Sequence, residues 1–265
     1  MLAGNLNKII FPSEIYRKKV KNKCSFSFRF LYKYSDIYIS VDFKRDVKID
    51  YESLEKTLKN FIEQIYQKIE FVIVKDNLFK GSLLPVKIKS FYPEEIKKMC
   101  NSSSIFGVGP MAAVAGAVND YIAENLIKSF PDVKKLIIEN GGDTFIKSDE
   151  DLNVGVYTTN NFFKDKIILN ISKENLPCGL CSSSGTVGRS LSLGQCDLAI
   201  VMAETSSIAD AAATAVANSV KNEDDIGKSV NYFSKFKQIK GLLIIKDKKI
   251  GLWGNFKLVS NYEMH

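Results

Sequence analysis

Two oxygen-bearing side chains, Asp210 and Thr214, stand four residues apart in an alanine-rich stretch that is expected to be helical. Residues four apart lie on one face of a helix, so the carboxylate and the hydroxyl would point the same way. Mg²⁺ prefers hard oxygen ligands and takes its other ligands from water or phosphate. The pair is therefore a candidate metal site. The alternative, favoured when the pair is taken alone, is an aspartate that stabilises the first turn of a helix.

Glycines before a predicted helix offer a second candidate site. Gly107 and Gly109 precede the small-residue stretch 111–127. The free amides and the positive dipole end of a helix N-terminus suit a phosphate group. Tight packing of the two glycines is the alternative, and it is favoured because the rest of a dinucleotide-binding pattern is missing.

A short polar segment, Asn140-Gly141-Gly142-Asp143, follows a predicted strand. Two consecutive glycines permit positive φ and a close approach of a ligand to the backbone. Asn-Gly and Gly-Asp are also common hairpin turns. The segment is thus a candidate ligand site, and a plain turn is the favoured alternative when it is taken alone.

Hydroxyl groups and glycines are concentrated after Cys181, and Arg189 ends this segment. The composition fits a flexible loop, or a nest of amides and hydroxyls around an anion. Arg189 is a candidate clamp for phosphate or carboxylate, or one half of a structural ion pair. The other candidate ligand residues in the segment are Ser183, Ser184, Gly185 and Thr186.

Histidine chemistry is almost absent from this sequence, because the only histidine is the last residue, His265. Ser-His-Asp and Cys-His arrangements would need that terminus to fold back, and a His-Glu-x-x-His zinc motif is excluded. Cys178 and Cys181 form one C-x-x-C pair, which supplies too few ligands for zinc. We expect these thiols to be reduced and free of metal, and their role is left open.

The elements that must position these residues alternate between two periodicities. A period of two favours strands and a helical spacing of apolar residues favours helices. Strands are expected at 25–34, 36–43 (joined at 35–36), 133–139, 152–158, 166–171, 197–203, 239–245 and 249–253; helices at 51–69, 93–99, 111–127 and 206–220; and a long loop at 177–194. The order is not a regular βα alternation, so an α+β fold is predicted.

Bulk composition narrows the class of protein. The 265 residues carry a net charge of +7 and are 45% hydrophobic. Four residues among the basic ones are arginines, and no nucleic-acid-binding module is legible, so no nucleic-acid partner is expected. No apolar run reaches the length of a membrane span and no export signal is read at the start, so a cytoplasmic location without membrane contact is expected. One domain is predicted, with an N-terminal lobe at about 1–100 and a C-terminal lobe at about 101–265, and a homo-oligomer is left open.

Five segments, taken in their order, resemble a known family: GVGPMAAVAGAV, IENGGD, CSSSGTVGRSLSLG, IADAAATAVAN and IGLWG. They are similar to the uncharacterised branch of the ApbE-like superfamily, distantly related to FAD:protein FMN transferases, over about residues 80–254. The resemblance implies a T-shaped, two-lobed α+β fold of mixed sheets and helices with a ligand cleft between the lobes. It also implies nucleotide contacts from residues 140–143, a loop containing Ser184 and Gly185, and Mg²⁺ held by Asp210 and Thr214.

Two hypotheses follow from the resemblance and its departures. An enzyme would bind a phosphorylated, flavin-like nucleotide and use Mg²⁺ in group transfer. A non-catalytic binding protein assisting sulfur amino-acid metabolism would keep the site without the chemistry. The Asp210–Thr214 pair favours the first. The second is favoured because the parent family's Asp-Gly-x-x-Lys-Gly and His-x-x-Asp-Pro elements read Ile105–Pro110 and Gly188–Ser192 here.

Overall fold

The structure is a computed structural model that describes residues 24–44, 48–164, 166–185 and 194–259. Two of the candidate ligand residues, Thr186 and Arg189, lie outside these ranges. The N-terminal stretch examined for an export signal and His265 lie outside them as well.

Eight strands form one large antiparallel sheet, and three short strands form a second antiparallel sheet. The large sheet has the order β1-β2-β3-β4-β7-β8-β9-β10 and the small one β11-β6-β5. The strands are β1 Phe26–Tyr32, β2 Ser35–Phe43, β3 Val133–Asn140, β4 Asp143–Lys147, β5 Leu152–Gly155, β6 Ile168–Ile171, β7 Cys178–Ser183, β8 Leu198–Ala203, β9 Ile239–Lys246, β10 Lys249–Gly254 and β11 Phe256–Val259. The α+β class is confirmed. Every described ladder is antiparallel, whereas mixed sheets were expected.

Six α-helices are found in the described ranges. They are α1 Tyr51–Lys75, α2 Asn77–Gly81, α3 Glu94–Ile105, α4 Val114–Ser129, α5 Ser206–Ser219 and α6 Asp225–Phe233. Short 3₁₀ turns occupy Pro110–Ala113 and Lys173–Asn175. No single helix in these ranges is long and apolar enough to cross a membrane, and α3 meets that test only when joined to the run Pro110–Ser129 across a bend of 102°.

The large sheet separates two apolar cores. On one face the helices pack against alternate residues of the strands, such as Val201 of β8. On the other face the small sheet packs against the intervening residues, such as Ile200 and Met202. All of β8 is therefore buried, which explains its uninterrupted apolar sequence. Strand β8, which follows the hydroxyl-rich segment, is thus held by packing on both of its faces.

Helix α1 shows how local sequence sets these elements. Its buried residues, among them Leu54, Leu58 and Ile62, recur at helical spacing and face the sheet. The Asp50 side chain accepts a hydrogen bond from the Ser53 amide at 2.8 Å and caps the first turn. The helix runs to Lys75, beyond the expected end at residue 69.

Several expected boundaries were wrong. The β1–β2 turn lies at Lys33–Tyr34 instead of residues 35–36, with Lys33 at φ +52°. Pro93 precedes α3, which continues to Ile105. The first part of the expected loop 177–194 is strand β7, whose small residues pair with β4 and β8. Helices α2 and α6 and strands β4 and β11 were not expected.

Candidate functional site

The β3–β4 hairpin turns at two glycines, with φ +67° at Gly141 and +107° at Gly142. The Gly142 amide donates to Glu139 Oε1 at 2.8 Å. The turn interpretation of this segment is therefore realised. It places Asn140 and Asp143 directly opposite each other in the ladder.

Strand β7 lies beside this turn. The Ser182 amide donates to Asp143 Oδ1 at 3.2 Å, and the Ser182 hydroxyl donates to Gly142 O at 3.2 Å. A Cβ added at Gly142 would stand 2.8 Å from Ser182 Oγ. The candidate segments 140–143 and 183–185 are thus neighbours, as a shared site requires.

Two glycines clamp the N-terminus of α5 between α4 and β7. A Cβ at Gly116 of α4 would come within 2.2 Å of Ser206 O. A Cβ at Gly179 of β7 would come within 2.4 Å of Ser206 Cα. Any side chain at either position would push α5 away, so these glycines set the distance at which α5 presents Asp210.

Asp120 of α4 occupies the free amides at the start of α5. Its Oδ1 accepts from Ser206 N at 2.8 Å and its Oδ2 from Ser207 N at 2.9 Å. The Thr205 hydroxyl accepts from Ile208 N at 3.3 Å. Burial raises the pKa of Asp120, while the bonds from the two serines favour its charged form. These amides are therefore not available to a phosphate.

Asp210 lies one turn into α5 and faces the start of α4. Its Oδ2 accepts from the Gly116 amide at 3.0 Å. Burial raises the pKa of Asp210 to about 7, against the amides of Gly116 and Ala115, which favour the carboxylate. Burial and the charge of Asp210 together raise the pKa of Asp143 well above its usual value.

Asp210 and Thr214 carry oxygen atoms of the kind that Mg²⁺ prefers as ligands. Thr214 is half-buried and lies one turn further along α5, on the same side as Asp210. Within the described ranges, no lysine or arginine forms an ion pair with Asp210 or Asp143, although adjacent buried carboxylates favour a cation or a proton. The same ranges hold no cluster of three ionisable metal ligands. Two protein oxygens alone would therefore hold the ion weakly.

The polar site, as we name it, comprises Asn119, Asn140, Asp143, Ser183 and Asp210. Asn119 of α4 donates from Nδ2 to Asp143 O at 2.8 Å. Asn119 Oδ1, Asn140 Nδ2 and Ser183 Oγ are buried and have no hydrogen-bond partner among the described residues. Two surface depressions lie elsewhere, one of about 450 Å³ beside Asn160 and one of about 530 Å³ beside Arg29.

The candidate glycines before the helical run have structural roles. Gly107 has φ +70° and ends α3, with its amide donating to Ser104 O at 3.2 Å. The Gly109 amide donates to Leu83 O at 2.9 Å, and a Cβ there would stand 1.8 Å from Ser82 O. Because both amides are used within the chain, the structure favours the packing interpretation over phosphate binding.

The remaining described residues of the hydroxyl-rich segment form the base of a loop. The Gly185 amide donates to Cys196 O at 2.8 Å, and a Cβ at Gly185 would stand 2.3 Å from Gly194 O. Ser184 is half-buried beside this close contact. The loop base therefore lies next to Ser183 and the polar site.

Cys178 and Cys181 lie on opposite faces of β7. Cys178 belongs to the core beneath the small sheet, and Cys181 packs with Ala203 and Ala209 on the helix side. Burial raises the pKa of the Cys178 thiol to about 12 and that of Cys181 well above its usual value. Side chains on opposite faces of a strand cannot share a metal ion or a disulfide in this arrangement.

Sequence reasoning missed four residues that build the site: Gly116, Asn119, Asp120 and Gly179. A glycine within a helical run is costly and indicates close packing, so Gly116 carried a usable signal. Asn119 and Asp120 carried none. Their function depends on the long-range meeting of α4 with α5 and β4.

Known structures share this fold. The ApbE protein from Thermotoga maritima has a TM-score of 0.61 at 14% identity, with 90% of this chain and 98% of that chain covered. The flavinyl transferase ApbE from Pseudomonas stutzeri, in its apo form, has a TM-score of 0.55 at 10% identity, with 86% and 93% covered. The fold is therefore that of the ApbE proteins, and at these identities the likeness shows the fold alone.

Sequence relatives are more specific. The family described as AbpE bacteria matches residues 17–231. A UPF0280 protein from Methanocaldococcus jannaschii is 36% identical over 234 residues, covering 86% of this chain and 91% of that protein. One from Archaeoglobus fulgidus is 33% identical over 231 residues, covering 86% and 92%. The chain belongs to this ApbE-like family, in the branch of the UPF0280 proteins, and the resemblance inferred from the sequence is confirmed.

Proposed function

We propose that the protein binds a phosphorylated, flavin-like nucleotide together with Mg²⁺ at the polar site, and that this site supports Mg²⁺-dependent group transfer. One observation carries the proposal. Asp210 is buried beside Asp143 without a neutralising cation in the described ranges, and Thr214 follows it by one helical turn. That arrangement suits a site completed by an ion and its ligand.

Each part of the chain has a separate task in this proposal. Asp210 and Thr214 would hold Mg²⁺, which when bound neutralises pyrophosphate charge and acts as a Lewis acid. Gly116 N holds the Asp210 carboxylate in place at 3.0 Å. Asp120 blocks the α5 N-terminus, so phosphate groups are directed to the metal side of Asp210. Two of the ApbE proteins whose structures are known, from Pseudomonas stutzeri and Vibrio cholerae, are named flavinyl or flavin transferases, which supports a flavin-like ligand.

A non-catalytic binding role, in support of sulfur amino-acid metabolism, is the second candidate. It is favoured by the residues at 105–110 and 188–192, which lack the lysine and histidine elements of the parent transferases. The two candidates share the ligand and differ only in turnover. Incubation of FAD with Mg²⁺ and the protein distinguishes them, because only an enzyme converts FAD to products.

Titration calorimetry with ADP, FAD and FMN, each with and without Mg²⁺, tests the shared proposal. Metal and nucleotide should each raise the other's affinity by the same factor, roughly 5- to 150-fold. Asp210→Asn keeps the size of the side chain and removes its charge, so this coupling should disappear. Asp149→Asn, in an exposed turn, is the matched control and should retain it. Equal nucleotide affinity with and without Mg²⁺ would contradict the proposal.

A further inference from the structure

Three buried atoms of the polar site have no hydrogen-bond partner in the part of the chain that the structure describes: Asn119 Oδ1, Asn140 Nδ2 and Ser183 Oγ. The three residues are only 0%, 4% and 8% exposed. Most buried polar groups in folded proteins are paired, because an unpaired one loses its bonds to water without replacement. Three such atoms at one site call for a partner that the described chain does not supply.

The fold brings these residues to one end of the large sheet, on its helix-covered face. Asn140 stands directly opposite Asp143 in the β3–β4 ladder, so both side chains lie on the helix-covered face. Asn119 reaches the same point from α4, because its Nδ2 donates to Asp143 O. In the β4–β7 register, Cys181 lies beside Asp143, and Ser183 follows on the same face.

The orientation of the Asn119 amide is fixed by chemistry. Only its NH₂ group can donate to the Asp143 carbonyl, so Oδ1 must be the unpaired atom, and it requires a donor. Asn140 Nδ2 requires an acceptor. Ser183 can serve either role. The carboxylates of Asp143 and Asp210 lie next to these groups and disfavour a second anion there.

We infer that Asn119, Asn140 and Ser183 form a subsite for a neutral ligand edge that carries a hydrogen-bond donor beside an acceptor. The inference rests on the proposed function and specifies which part of the nucleotide enters the polar site. The imide edge of a flavin and the amino-pyrimidine edge of adenine both have this pattern. A phosphate group does not, because at neutral pH it offers mainly acceptors and carries charge. The ring therefore lies at the strand ends and the phosphates lie towards Thr214.

Binding of phosphate-free probes tests the subsite. Calorimetry with riboflavin and with adenosine, in the presence of Mg²⁺, shows which ring is accepted, and pyrophosphate reports on the metal side alone. In Asn140→Ala the affinity for the accepted ring should fall about tenfold, the cost of one lost hydrogen bond in a desolvated site. Ser183→Ala removes one hydroxyl with little disturbance and should lower the same affinity in the same direction. Pyrophosphate affinity should stay unchanged in both variants.

Asn125→Ala is the matched control. Asn125 lies on the same helix as Asn119, and its Nδ2 also donates to a backbone carbonyl at 2.8 Å, that of Tyr121, away from the polar site. This variant should bind riboflavin and adenosine as the unmodified protein does. Pyrophosphate binding without binding of either ring would overturn the inference and leave the proposed function standing. Equal losses of affinity for the ring and for pyrophosphate would also overturn the inference. So would variants that lose only stability, because the three atoms would then have water or one another as hydrogen-bond partners. Absence of binding by all three probes would contradict both.

Discussion

Three aspartates at this site differ in how far the chain stabilises their charge, because they accept hydrogen bonds from different donors. Asp120 accepts hydrogen bonds from two backbone amides and fixes the start of α5. Asp210 accepts a hydrogen bond from the Gly116 amide, and burial raises its pKa to about 7. Asp143 accepts a hydrogen bond from the Ser182 amide and lies beside Asp210. The first is therefore satisfied within the chain, and the other two remain dependent on a cation or a proton.

Asp76, far from the polar site, shows the opposite shift and gives a prediction of pH dependence. Hydrogen bonds from Lys89, then Tyr92, and from the Leu78 amide hold its pKa below the usual 3.8. A depressed carboxylate pKa contributes stability that is present above 3.8 and is lost as the pH falls through the folded value. Tyr92→Phe should lower the melting temperature by a few degrees at neutral pH, because a buried bond to a charged group is lost.

The comparison of thermal melts between pH 7 and pH 2 checks this prediction. The difference between Tyr92→Phe and the unmodified protein should narrow as the pH falls below 3.8 and through the lowered pKa of Asp76. Tyr232→Phe, at a side chain that is 58% exposed, is the control and should melt normally throughout. A constant difference at every pH would show that Tyr92 acts through packing alone.

At the scale of elements, two glycines determine where α5 lies. Gly116→Ala should destabilise the fold by about 1–3 kcal/mol, because the added methyl group meets the Ser206 carbonyl in a packed interface. Gly227→Ala places the same change in α6, where nothing lies within 4 Å of the new atom. That control should gain up to about 1 kcal/mol from helix propensity. Urea unfolding of both variants measures the change in the free energy of unfolding. A stabilised Gly116→Ala would contradict the close packing of Gly116 against Ser206.

Sequence periodicity recovered most elements and much less of the site. The apolar spacing of α1 and the alternation in β9 and β10 depend on neighbours in the chain, so both could be predicted. The small residues of β7 obscured a strand because their size reflects contact with α5, which is distant in sequence. Asn119 and Asp120 were invisible for the same reason. Asp210 was found because its partner Thr214 is local, whereas the nearness of Asp210 to Asp143 depends on the assembled fold.

The whole molecule is built around a sheet that crosses the sequence boundary near residue 100. Strand β2 pairs with β3 along its length, so the N-terminal strands belong to the same sheet as the polar site. Helix α1 packs into the same core as α4 and β3. The two predicted lobes therefore share one apolar core in the described ranges.

Limited proteolysis of the native protein checks this architecture. No stable fragment ending near residue 100 should accumulate, because separation there would expose the edge of β3 that pairs with β2. Cleavage in exposed turns such as 149–151 should be tolerated, with the fragments remaining associated until they are denatured. An independently folded fragment that retains native circular dichroism would contradict the shared core.

The strand order also bears on how the chain is made. Neighbours in the large sheet follow one another along the sequence, apart from the step from β4 to β7. A chain emerging from the ribosome can therefore add each new strand to the one before it. The small sheet differs, because β6 pairs with β11, which is synthesised last among the described strands. The apolar face beneath that sheet, where Phe256 of β11 packs, is fully covered only after β11 has been synthesised. A nascent chain that stalls after β10 would display this face to chaperones and proteases, although the residues of the polar site would already be in place.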